Sequence, residues 1–110
     1  MKLQLKSLVL MVFSISALFY SAMSFAEPAD EYVVELYDTY CTACHSTEGT
    51  GAPISFDASQ WEAKLAQGLE PLVNNAITGV GNMPAQGGCM ECAYEDFEDL
   101  INYMTQPKAE

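Results

Sequence analysis

The residues Cys41, Thr42, Ala43, Cys44 and His45 constrain this chain more than any other stretch, because one helical turn there gathers two thiols and the only imidazole in the sequence. CxxCH is the spacing at which two thiols bond the vinyl groups of a haem while the adjacent imidazole coordinates the iron. A bare CxxC also serves thioredoxin-like redox pairs and zinc knuckles. Here the histidine follows the second cysteine directly, so any histidine-dependent chemistry must use it. Covalent haem attachment is the first reading, and the rest of the chain is weighed against what a haem needs.

Lys2 and Lys6 flank the start of an uncharged run from Ser7 to Ala26, which holds the apolar stretch LVLMVFSISALFY and ends in Ser24, Phe25, Ala26. A basic n-region, an apolar h-region and small residues at the cut describe a secretory signal. Residues 1–26 are read as that signal, and 27–110 as one small domain. The rival is an uncleaved membrane anchor, since the run is about long enough to span a bilayer. Its serines and its small-residue ending favour cleavage. No cysteine precedes Cys41, which excludes a lipid-bearing cysteine just after the signal. A domain this small buries a modest fraction of its surface unaided and usually needs a staple; a covalently held haem would supply much of the missing core. Export also favours cysteines committed to covalent bonds over cytosolic thiol or zinc chemistry.

All fifteen acidic residues follow Ala26, against two of the four lysines and no arginine, so the exported domain carries a net charge of −13. Such a field disfavours nucleic acid and anionic lipid and favours a partner with a basic face. Solubility is the plainer explanation of the same charge.

From Asp30, the expected N-cap, the spacing of Val33, Leu36, Tyr37 and Tyr40 predicts a helix running directly into Cys41. The loop Ser46–Pro53 follows, rich in Gly, Ser and Thr, and a proline carbonyl there is a candidate acceptor for the second ring nitrogen of His45. Ser59 and Glu62 form a capping-box pattern for a short helix carrying Trp61 and Leu65 on one face. Trp61 either reaches the haem edge with its indole N–H or is a buried structural tryptophan. Gly68 breaks that helix. Leu69, Leu72, Val73, Ala76 and Ile77 mark another, with Pro71 in its first turn and Gly79 at its stop.

The loop GVGNMPAQGG from Gly79 to Gly88 has one large apolar residue, Met83. Methionine usually fills gaps in a core. In a loop locked by Pro84 and surrounded by glycines it has little core to fill, and its thioether is the candidate second axial ligand. Met90 is pinned between cysteines and Met104 belongs to a helical stripe. The second pair, Cys89 and Cys92, is followed by Ala93 and so lacks a histidine; one haem is expected, not two. Two CxxC pairs raise a four-cysteine zinc site as the strongest rival on spacing. Residues 45–88 separate the pairs, however, far more than the ~12–20 residues usual in zinc ribbons, and in an oxidising compartment a local disulfide is the more natural reading. The last helix shows Phe97, Leu100, Ile101 and Met104 at helical spacing, with Tyr94 before them and Pro107 near the end. Its stripe matches that of the first helix, so packing of the two terminal helices is the natural architecture.

CTACH, GAP at 51–53, Trp61, GLEPLVNNAITGVGNMP and QGGCMEC leading into YEDFEDLINYM together resemble the cytochrome c5 family, a branch of the class I cytochromes c found in bacterial periplasms. The resemblance covers the whole of 27–110, and NMP followed by a CxxC pair before the final helix is its most specific part. It implies an all-α fold with one haem enclosed by the terminal helices and His45 and Met83 as axial ligands. It also implies Pro53 accepting from His45 and a disulfide between Cys89 and Cys92. One departure is Ala93, where the family often has a helix-capping serine, which puts the start of the last helix in question.

His/Met ligation saturates the iron and raises its potential, so the expected role is single-electron transfer between respiratory redox proteins, not catalysis. The alternatives are a haem sensor or peroxidase-like protein whose methionine leaves the iron, and a redox-inert zinc protein.

Overall fold

The computed structural model describes residues 28–108, and the segment read as a signal, 1–26, lies outside them. Asp30 opens the first helix, α1 (Glu31–Leu36), with its carboxylate accepting from the Tyr32 N–H at 2.9 Å. At Tyr37 the helix widens into a π-helical turn (Tyr37–Cys41), in which the Thr42 N–H reaches back five residues to the Tyr37 carbonyl. A last turn, α2 (Thr42–His45), completes a continuous helical path into CTACH. The run into Cys41 was expected and the widening was not. The apolar pattern ends at Tyr40, inside the turn, so no later residue reveals the change of phase.

The next helix, α3 (Ala58–Leu65), is capped by Asp57 and not by Ser59. The Asp57 carboxylate accepts from the Ser59 N–H at 3.1 Å, the Ser59 hydroxyl at 2.6 Å and the Gln60 amide at 2.8 Å. Ser59 is thus a donor within the first turn. Of the two apolar residues expected on one face, Trp61 is buried and Leu65 is 40 % exposed. Helix α4 (Leu69–Thr78) lies between Gly68 and Gly79, both at positive φ, and buries Leu72, Val73 and Ala76. A short 3₁₀ turn (Ala85–Gly88) and the 89–92 turn lead into α5 (Tyr94–Thr105). That helix starts without a capping serine because the Asp96 carboxylate takes the Ala93 N–H at 2.7 Å.

Helix α5 packs on both α1 and α4, so the terminal helices meet as expected. Phe97, Leu100, Ile101 and Met104 meet Val33, Leu36 and Tyr37 from one side and the α4 stripe from the other in a single buried cluster. Each such side chain contributes roughly 1.5–3 kcal/mol by burial. The rings of Tyr37, Phe56 and Tyr103 meet edge to face with centroids 5.1–5.9 Å apart. The Phe56 N–H donates to the Met104 carbonyl at 2.7 Å. These contacts tie the segment after CTACH to the last helix. Among the described residues the architecture is all-α, with one isolated bridge between Val80 and Met83.

Candidate functional site

His45 ends α2 and is 7 % exposed. Its Nδ1 lies 2.8 Å from the Pro53 carbonyl oxygen. A carbonyl can only accept, so Nδ1 carries the proton and donates it, and Nε2 keeps its lone pair. The Ser55 N–H donates to the His45 carbonyl at 2.7 Å, so residues 53–55 wrap around the histidine. The Trp61 ring stacks near the imidazole with centroids 5.8 Å apart and planes 23° from parallel. Its indole N–H donates to the Ile54 carbonyl at 2.8 Å. Of the two roles set out for Trp61, the N–H serves the backbone, while the ring covers the histidine. The Thr50 hydroxyl bonds the Cys44 carbonyl at 3.0 Å and closes the loop onto the CxxC turn.

Cys41 is half-buried, Cys44 is exposed, and both are free thiols. Burial pushes the Cys41 thiol up to about 11, so it is neutral near pH 7. A thioredoxin-like pair needs the opposite, a thiol whose pKa is depressed.

Met83 is half-buried and packs against the core. It is held by a reciprocal backbone pair, with the Val80 N–H donating to Met83 at 3.1 Å and the Met83 N–H donating to Val80 at 2.9 Å. Gly79 forms the floor of this loop: a Cβ there would lie 3.0 Å from both the Ala85 nitrogen and the Met83 carbonyl oxygen. A Cβ at Gly51 would come within 3.9 Å of the Asn82 side chain, so the loop after His45 approaches the loop carrying Met83. Beside Pro53 a depression of about 700 Å³ opens, lined in part by Ile54, Gln60 and Lys64.

Cys89 and Cys92 are bonded to each other, with Cα atoms 5.5 Å apart, and both are buried. They have no thiolates to give a metal. Among the described residues no three His, Cys, Asp or Glu side chains gather into a set that could hold one, so the two CxxC pairs are not brought together as a four-cysteine zinc site would require. One contact had no signal in the sequence: the Tyr40 hydroxyl donates to the Glu91 carboxylate across 51 residues.

These residues fit a haem. Two free thiols stand one turn apart, a buried imidazole offers Nε2, and a thioether sits on a rigid loop, a soft N and S donor set suited to iron. The Ser55 hydroxyl is buried with no hydrogen-bond partner in the protein, a polar demand left for a bound group or water.

Residues 29–104 match the family described as cytochrome c oxidase, cbb3-type, subunit III. The chain is 36 % identical over 72 residues to cytochrome c-555 of Chlorobaculum tepidum, a match spanning 62 % of this chain and 67 % of that one. It is 30 % identical over 87 residues to cytochrome c5 of Ectopseudomonas mendocina, spanning 77 % and 95 %. In structure it is similar to a chain from the crystal structure of an electron transfer complex of nitrite reductase with cytochrome c. That match has a TM-score of 0.63 and 30 % identity, and covers 69 % of this chain and 93 % of the other.

Proposed function

Because the chain belongs to the class I c-type cytochromes, within the cytochrome c5 family, we propose that it is a periplasmic single-electron carrier with one haem held by Cys41 and Cys44. His45 and Met83 would ligate its iron, and Cys89–Cys92 is a structural disulfide. The observation that carries this reading is the buried His45, whose Nδ1 proton is engaged by Pro53 so that Nε2 keeps its lone pair, at the end of the helical turn that carries the unbonded Cys41 and Cys44.

Haem c, when bound, supplies an iron that changes oxidation state by one electron. The chain's own residues do the rest. Cys41 and Cys44 would hold the group by thioether bonds. The hydrogen bond to Pro53 fixes the tautomer and orientation of His45 and raises its basicity as a ligand. Trp61 covers the imidazole and keeps water from it. Met83, pinned by its backbone pair with Val80 over Gly79, would give its thioether to the iron and leave no place for a substrate, which is why a carrier is preferred to an enzyme or sensor.

The acidic surface suits a redox partner with a basic docking face, and the structural neighbour's origin in an electron transfer complex supports a redox protein in that role. Residues 1–26 support export by their pattern. Among the described residues no helix is long and apolar enough to cross a membrane.

A pyridine haemochrome spectrum should give one c-type haem per chain. The oxidised protein should show the weak near-infrared charge-transfer band of methionine ligation. Met83→Ala should abolish that band, lower the potential and admit carbon monoxide, while Met90→Ala, at a site 73 % exposed, should do none of this. If the native protein already binds carbon monoxide readily, or if Met83→Ala leaves the spectrum unchanged, the carrier reading fails and a sensor or peroxidase role replaces it.

A further inference from the structure

A side-chain hydrogen bond from the Tyr40 hydroxyl to the Glu91 carboxylate ties the entrance of the first CxxC turn to the second. Tyr40 is the residue before Cys41 and lies in the π-helical turn, half-buried against the core. Glu91 lies between Cys89 and Cys92. Those two cysteines are sunk in the core, at 1 % and 7 % exposure, while Glu91 stands exposed on the turn between them. A bridge across so short a loop removes little entropy from the unfolded chain, so global stabilisation is a weak account of it. Its geometric effect is direct: it converts the turn into a rigid arm whose exposed residue meets Tyr40.

We infer that Glu91 is a positioning residue for electron transfer: held out by the Cys89–Cys92 turn, its carboxylate fixes the Tyr40 phenol and with it the backbone from which Cys41 projects. The inference rests on the haem reading above and goes beyond it, since it gives the second cysteine pair a role at the haem. The bond holds the Glu91 carboxyl below the usual carboxylate range and raises the Tyr40 phenol. Tyr32, raised by burial and by Asp96, also feels the Glu91 and Glu35 charges. A carboxylate beside the attachment turn favours the oxidised, more positive iron, and the Tyr40 proton offsets part of that field.

The test uses the holoprotein, with haem content measured in each variant. Glu91→Gln keeps an acceptor oxygen and removes the charge, so the reduction potential should rise. Tyr40→Phe removes the donor and leaves the charge, so it should fall. A merely structural contact would not give opposite signs. Cys89→Ser with Cys92→Ser should also lower the potential, and adding Tyr40→Phe to that pair should lower it little further, because both lesions break one path. Additive shifts, or potentials unmoved by Glu91→Gln and Tyr40→Phe at full haem content, overturn the inference. A native protein without haem overturns instead the reading on which it rests.

Discussion

Asp57 gathers three donors on one carboxylate, and the hydrogen bonds from Ser59 and Gln60 hold its carboxyl below the usual range. A group whose folded-state pKa is depressed stabilises the fold above its unfolded value, and that contribution is lost as pH falls through the folded one. Asp57→Ala should therefore lower the thermal midpoint near neutral pH, and the gap to the unmodified protein should close as pH falls below about 4, followed by circular dichroism. The sequence showed Ser59 and Glu62 at capping-box spacing but could not show which oxygen is nearest the free N–H groups of α3. It did single out His45, Cys41, Cys44, Met83 and Pro53, since each has a chemistry or a spacing that is local. Trp61 was legible as a residue near the haem or in the core. The direction of its N–H was not, because that depends on where the Ile54 carbonyl turns.

Helices α1, α4 and α5 were readable because each has a complete apolar stripe with a cap, a glycine stop or a proline at its end. Less was legible in the loops, where long-range contacts decide the path. Gly79 is the clearest case. Read as a helix stop, it is also the floor on which the Met83 loop rests, with room for no side chain between it and the backbone of residues 83–85. Gly79→Ala combines that contact with an unfavourable φ of 85°. It should cost ~1 kcal/mol or more in urea unfolding and weaken the near-infrared band by displacing Met83. Met104→Ala is the contrasting change, at a residue 5 % exposed at the end of the buried stripe of α5. It should cost roughly 2–5 kcal/mol with the band intact. The Tyr40 to Glu91 contact was beyond any local pattern, for the two residues lie 51 apart in the chain and no motif pairs them.

At the scale of the whole molecule the dominant quantity is charge. With fifteen carboxylates and two lysines after Ala26, electron transfer to a partner bearing a basic face should slow as salt rises. Screening weakens steering beyond about 8 Å at physiological ionic strength. Stopped-flow rates that stay flat or increase from low to high salt would assign the charge to solubility and leave the contact surface apolar. Charge and composition were fully legible; the relative phase of the elements was not. The π-helical turn of residues 37–41 sets that phase, because the stripe that docks on α5 lies before it and CTACH lies after it. Each residue of an α-helix turns the chain by about 100°. Rewinding the same residues as a plain α-helix would rotate Val33 and Leu36 away from the core while His45 kept its place, because the wide turn holds one residue more than an α-turn does. The widened turn is thus a spare letter in the line: the chain could drop one residue there, close the turn to α geometry and still bring its stripe and its motif to the same places.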